Sequence, residues 1–118
     1  MHYYEMIEDN LIKVYYNASA DLTIENYADY YRIATIDPHS LLFDGSFSDY
    51  DIQGNRVFTG NFVNGKLNGI CTYYYSDAAI KETGKYVFGV RDSIWSFYFS
   101  NGQLDKIINF ENGIPYIS

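Results

Sequence analysis

The stretch GKYVFGVRDSIWSFYFSNGQLDKIINFENG, residues 84–113, decides the fold. In its central part, residues 94–100, aromatic and smaller or polar side chains alternate. This period of two places Trp95, Phe97 and Phe99 on one face of an extended chain. The stretch therefore predicts a β-strand with one apolar, aromatic face.

The turns that follow this strand predict a hairpin. Asn101-Gly102 is typical of a type I′ turn, in which both central residues need positive φ angles. The return strand places Leu104, Ile108 and Phe110 together on one side, and Asn112-Gly113 then turns the chain again. The chain therefore folds back on itself twice within about twenty residues.

This unit is repeated with a period of 24 residues. Residues 59–75 and 83–99 are identical at six pairs of positions: Thr59/Thr83, Gly60/Gly84, Val63/Val87, Gly65/Gly89, Ile70/Ile94 and Tyr74/Tyr98. Such a period marks a repeat architecture. We predict these structural positions: Gly60, Phe62, Gly65, Gly69, Gly84, Tyr86, Gly89, Trp95, Gly102, Phe110 and Gly113.

The connections are too short for crossover helices, so the units must pair as antiparallel neighbours. We predict a mainly β protein: one curved, single sheet formed as a meander of hairpins. Residues 1–118 form one domain in this interpretation, with the repeats at 43–114. Residues 1–42, with strand-like runs at 11–16 and 30–36, are expected to cover the sheet end, where the apolar face thins.

The repeat resembles a known family. Its motif Gly60-x-Phe62-x-x-Gly65-Lys66-x-x-Gly69, repeated as Gly84-x-Tyr86-x-x-Gly89, is similar to the MORN repeat and more closely to MORN-repeat-variant proteins of the YwqK-type antitoxin group. Two positions depart from it: Ser93 stands for the second glycine, and Ala78 stands where Gly54 and Gly102 stand in other units. The resemblance implies a β-hairpin array that serves as a binding surface, toward a partner protein encoded nearby.

Charge and chain ends limit the function. Eight Lys and Arg against 15 Asp and Glu give the 118-residue chain a net charge of −7, which disfavours nucleic-acid binding. No apolar run approaches the roughly 18 residues that span a bilayer, so no membrane insertion is expected. The first residues do not form a signal peptide, so the chain is either cytoplasmic or a trimmed extracytoplasmic form.

No residues form a recognisable catalytic or metal-binding motif. His2 and His39 have no spaced partners, and a histidine in a surface turn is usually solvated. Cys71 lies within an apolar strand, where a buried core position explains it without a nucleophilic role. We therefore predict no catalytic residue, no metal and no cofactor.

Three carboxylates near the first repeat allow two interpretations. Asp44, Asp49 and Asp51 lie close together in sequence, and Asp49 and Asp51 share a strand face. A pair of carboxylates can act as acid and base in a small hydrolase, depending on their separation. The favoured interpretation is a solvated sheet end that discourages edge-to-edge pairing.

The candidate binding residues are Tyr50, Tyr74 and Tyr98. They recur at the repeat period on the polar face, with successive phenols about 10 Å apart by sheet geometry. Phenols at this spacing can anchor a partner peptide or stack on a sugar chain, or they can merely stabilise the strands.

Three functions follow, in order of preference. The first is a non-enzymatic protein–protein interaction module, with an antitoxin-like role as one form of it. The second is a glycan-binding module on the same tyrosines, and the last is the hydrolase. Open sheet edges also allow a homodimer by strand addition.

Overall fold

The computed structural model describes residues 3–116 and contains one sheet. Its strands are β1 (Tyr4–Met6), β2 (Leu11–Tyr16), β3 (Tyr30–Ile36), β4 (Phe43–Asp51), β5 (Arg56–Val63), β6 (Lys66–Leu67), β7 (Gly69–Tyr74), β8 (Ile80–Val87), β9 (Val90–Tyr98), β10 (Leu104–Glu111) and β11 (Ile114–Tyr116). One 3₁₀ turn, Glu25–Tyr27, lies between β2 and β3. Within residues 3–116, no helix is long and apolar enough to span a membrane.

The strands follow one another as an antiparallel meander, and the sheet does not close on itself. Every strand pairs with its sequence neighbours, except that β6 and β7 both pair with β5. This confirms the predicted fold class. The strand-like runs at 11–16 and 30–36 are also confirmed, and both strands continue the meander at its amino-terminal end.

The turns at the two ends of the strands differ in type. Both central residues have positive φ angles in Asn64-Gly65, Phe88-Gly89 and Asn112-Gly113, as a type I′ turn requires. At Asn101-Gly102 only Gly102 has a positive φ, and the turn is longer, closed by a bond from the Phe99 amide to the Gln103 carbonyl at 2.9 Å. The prediction of a type I′ turn there was wrong.

A bulge recurs once in each repeat. Gly45, Gly69 and Ser93 lie 24 residues apart and have φ angles of +100°, +95° and +62°. The register between β8 and β9 shifts beside Ser93. The register of β5 shifts in the same way between the residues that pair with β6 and those that pair with β7, beside Gly69. Ser93 therefore occupies a left-handed position that glycine adopts without a steric cost.

Ser93→Gly is expected to stabilise the protein by up to about 1 kcal/mol, because the left-handed conformation costs a side-chain-bearing residue roughly 1–2 kcal/mol and glycine's extra entropy offsets part of this. Urea unfolding measures the change. Ser96→Gly is the matched control on the same strand, and without a positive φ it should destabilise by roughly 0.5–1 kcal/mol. Equal effects of both variants would contradict a special backbone at Ser93.

The core lies on one face of the sheet, which we call the core face. Phe47, Cys71 and Trp95 occupy equivalent repeat positions and are all buried, Trp95 completely. Neighbouring rings pack against one another, with Tyr86 edge-on to Trp95 at 5.1 Å between centroids. The ring N–H of Trp95 donates to the Lys85 carbonyl at 3.0 Å, which satisfies its polar atom.

Two repeat glycines make room for this core. Gly60 lies beside Cys71, and a Cβ added to Gly60 would lie 2.4 Å from its Sγ. A Cβ added to Gly84 would lie 2.3–2.5 Å from three atoms of the Trp95 ring. Neither glycine has a positive φ, so close packing and not backbone conformation requires glycine here.

A second bulge in each repeat changes which side chains share a face. Leu104 lies opposite Tyr98, whereas Lys106 lies opposite Phe97, because one extra residue separates the pairs. Leu104 therefore lies on the face opposite to the core, and its predicted grouping with Ile108 was wrong.

Candidate functional site

The three candidate tyrosines lie at equivalent positions on the face opposite to the core, which we call the outer face. Tyr50, Tyr74 and Tyr98 are each half-buried. Their cross-strand partners are Arg56, Ile80 and Leu104, respectively. Each tyrosine thus precedes a turn at the same end of the strands, and the three form a row across the repeats.

Neighbouring side chains hold part of this row in place. The ring of Tyr50 stacks on that of Tyr31, with centroids 5.3 Å apart. The Arg56 guanidinium lies 4.5 Å from the Tyr74 ring centroid, and the Tyr74 hydroxyl is 3.3 Å from that of Thr59. These contacts stabilise the strands and also fix the orientation of the rings before any partner binds.

The outer face is more apolar than the sequence analysis predicted. Five aliphatic side chains accompany the tyrosines there with 42–66% exposure: Ile70, Ile80, Ile94, Leu104 and Ile107. We call these side chains and Tyr50, Tyr74 and Tyr98 the tyrosine platform. Three of the isoleucines are direct sequence neighbours of core-face residues, so the period of two could have identified them.

Asp49 does not lie at a solvated sheet end, so the favoured interpretation was wrong for this residue. It is 3% exposed and lies on the core face opposite Arg32 of β3. Nε of Arg32 donates to one Asp49 oxygen at 2.8 Å, and Nη2 donates to the other at 3.0 Å. The pair therefore forms a bidentate, buried ion pair, which sequence proximity could not predict.

Aromatic rings surround the guanidinium of this pair. Its Cζ lies 5.0–5.3 Å from the ring centroids of four aromatic residues: Tyr16, Phe43, Phe47 and Phe62. Burial raises the pKa of Asp49 above its usual value, although Arg32 acts to lower it. Burial acts to lower the pKa of Arg32, but hydrogen bonds and charge from Asp49 outweigh it and the pKa is raised. The two residues join the repeat core to the amino-terminal strands.

The predicted carboxylate group is only partly assembled. Asp49 and Asp51 line a cavity of about 510 Å³. Asp44 lies at the opposite end of β4, where it accepts a hydrogen bond from the Asn64 amide at 3.3 Å. Asp51 accepts hydrogen bonds from the Gln53 and Asn55 amides. These bonds lower the pKa of the Asp51 carboxyl, and the bond from Asn55 contributes most. Both cavity carboxylates are thus hydrogen-bonded within the protein, in contacts that fix the fold.

The remaining candidates lie outside any common site. Cys71 is completely buried, as expected for a core residue, and burial raises the pKa of its thiol. His39 is exposed in the turn between β3 and β4, and His2 lies outside the described residues. No group of three or more His, Cys, Asp or Glu side chains within residues 3–116 is arranged to hold a metal ion.

An apolar groove of about 690 Å³ lies at the amino-terminal end of the core face. Side chains of β1, β2 and the turn between β3 and β4 line it, among them Met6, Ile12, Val14 and Leu41. The sequence analysis did not predict this groove, because its walls come from segments with no repeat.

Comparison with known proteins identified no family. No protein-family model matches the sequence, and no curated protein matches it.

Proposed function

We propose that this protein is a non-enzymatic protein–protein interaction module whose partner docks on the tyrosine platform. The observation that carries the proposal is a set of exposed aliphatic side chains on the same face as three equivalent tyrosines. Two of them, Ile80 and Leu104, lie directly opposite platform tyrosines on the neighbouring strands. Exposed apolar patches on a folded domain mark interaction sites, and tyrosine is a frequent interface anchor.

Two further observations support this function. The platform side chains lie on paired strands, and cross-strand contacts orient the rings of Tyr50 and Tyr74, which lowers the entropy lost on binding. The resemblance of the repeat to MORN-variant units also supports a binding role. It further makes proteins encoded beside this one the first candidates for the partner.

A photo-crosslinking experiment tests this proposal. A benzophenone side chain placed at Ile94 in the full chain should crosslink one partner from a native lysate, identified by mass spectrometry and then purified for direct titration. Tyr74→Ala/Tyr98→Ala should weaken binding of the purified partner at least tenfold. The matched control is Tyr27→Ala, which removes an exposed tyrosine outside the platform.

The result that contradicts the proposal is equal binding of the partner by the double variant and the unmodified protein. Circular dichroism and thermal unfolding of each variant exclude a loss of folding as the cause of weaker binding.

A glycan-binding function is the second candidate on the same face. The equal spacing of the tyrosines favours it, because successive platform rings at about 10 Å match an extended, repeating ligand. Calorimetry against a panel of polysaccharides decides between the two. Heat that disappears in the Tyr74→Ala/Tyr98→Ala variant would favour a glycan, whereas the absence of heat with every member would remove this candidate.

A further inference from the structure

The edge strand β1 has backbone groups without a partner strand within residues 3–116. β1 pairs on one side with β2, and no other strand follows it in the sheet. The Tyr15 amide donates to the Tyr3 carbonyl and the Ile7 amide to the Leu11 carbonyl. Because bonded and non-bonded pairs alternate in antiparallel strands, the N–H and C=O groups of Tyr4 and Met6 point toward the open edge.

The opposite edge of the sheet is blocked. Its last strand, β11, contains Pro115, which lies opposite Phe110. The two-residue turn at 112–113 makes Glu111 and Ile114 the hydrogen-bonded pair, so the proline nitrogen faces outward. A proline in this position cannot donate to an added strand and protects the edge. β1 contains no proline, so the two edges are not equivalent.

The apolar groove lies beside the open edge. Tyr4 and Met6 project to the core face and form one wall of the groove, whose floor includes Ile12 and Val14. Every second side chain of a strand added to β1 would project to the same side and contact these residues. The edge thus offers main-chain hydrogen bonds and an apolar surface together, which is the arrangement used in β-strand addition.

The charges at this edge select a basic occupant. Glu5 projects to the outer face between Tyr4 and Met6, and Glu8 and Asp9 follow in the adjoining turn. Lys13 lies opposite Glu5 in the register, but its Nζ is over the Tyr31 ring, 4.4 Å from the centroid. One Glu5 oxygen accepts a hydrogen bond from the Tyr15 hydroxyl at 3.1 Å. A second copy of this chain would bring a net charge of −7 against the same carboxylates, so it fits this edge poorly.

We propose that β1 and the groove bind an extended peptide segment of a partner protein, with apolar side chains toward the groove and Lys or Arg side chains in the alternate positions. The segment adds as a twelfth strand. Its apolar side chains contact Tyr4 and Met6, and its cation pairs with Glu5. This site is separate from the tyrosine platform and does not depend on it.

Titration of the full chain with the fluorescent heptapeptide KLKLKLK tests this proposal. Its isomer KKLLLKK has the same charge and composition but cannot present alternate leucines on one face. We expect KLKLKLK to bind at least tenfold more tightly. Saturating peptide should also slow hydrogen exchange at the Tyr4 and Met6 amides at least tenfold, a measurement that needs no variant.

Met6→Pro copies the protection seen at Pro115 and should weaken binding of KLKLKLK at least tenfold. Glu5→Lys should weaken binding about fivefold and reduce its salt dependence. Tyr74→Ala/Tyr98→Ala should bind this peptide as the unmodified protein does.

Three results would overturn the proposal. Equal affinity for the two isomers would indicate charge attraction alone. Loss of binding in the tyrosine variant with retention in Met6→Pro would place the peptide on the platform. A dimer in sedimentation equilibrium that Met6→Pro dissociates would identify a second copy as the occupant of the edge.

Discussion

Gly84→Ala is expected to lower the free energy of unfolding by about 3 kcal/mol, near the upper end of the range for overpacked cores. The added Cβ would lie within 2.5 Å of three atoms of the Trp95 ring. This ring is completely buried and its N–H is bonded, so it cannot move aside without breaking other contacts. Thermal unfolding should show a fall in Tm of about 12 °C for a chain of this size.

Gly102→Ala separates packing from backbone strain. Gly102 has a φ of +90° and nothing within 4 Å of an added Cβ, so alanine there should cost only the left-handed strain, about 1–2 kcal/mol. Trp95→Leu combined with Gly84→Ala should be less destabilising than the sum of the two single changes, because a smaller side chain relieves the contact. A Gly84→Ala variant as stable as Gly102→Ala would show that Trp95 does not require this glycine.

The fold could be predicted from the sequence because the residues that specify it act on their own stretch of backbone. Asn64-Gly65 and Asn112-Gly113 specify tight turns through their own φ angles, and the 24-residue spacing repeats that information along the chain. Where the local pattern was ambiguous, the prediction was wrong. Asn101-Gly102 forms a longer turn, and the bulge beside Leu104 moves that residue to the outer face, because one extra residue reverses a period of two.

The candidate sites were less predictable, since they depend on contacts between strands. Arg32 and Asp49 lie 17 residues apart and meet only because β3 and β4 pair in one register. A lone aspartate in a strand is usually exposed, so burial could not be expected without its partner. The edge groups of β1 likewise depend on which strand ends the sheet. The tyrosine row, by contrast, was visible in the repeat itself.

Asp49→Ala is expected to destabilise the protein by about 3–5 kcal/mol, the usual cost of removing one member of a buried ion pair. The change leaves the Arg32 guanidinium enclosed by aromatic rings and without its carboxylate, and arginine cannot lose its charge at accessible pH. Urea unfolding at pH 7 measures the loss. Asp51→Ala is the matched control on the same strand: its carboxylate only caps an exposed turn, so a smaller loss is expected.

Two further variants identify the cause as an unpaired charge. Arg32→Met/Asp49→Leu removes both charges. Its free energy of unfolding should be close to that of the unmodified protein, because a well-packed apolar pair replaces an ion pair at little cost.

Arg32→Met alone leaves Asp49 buried without its cation, which raises the pKa of its carboxyl further. Between the unfolded-state pKa of about 3.9 and the raised folded-state pKa, the folded state binds more protons than the unfolded state. The stability of this variant therefore falls as pH rises between these two values. Its deficit relative to the unmodified protein should therefore be smaller at pH 5 than at pH 8. A deficit independent of pH, or a double variant as unstable as Asp49→Ala, would show that shape and not charge makes these two residues necessary.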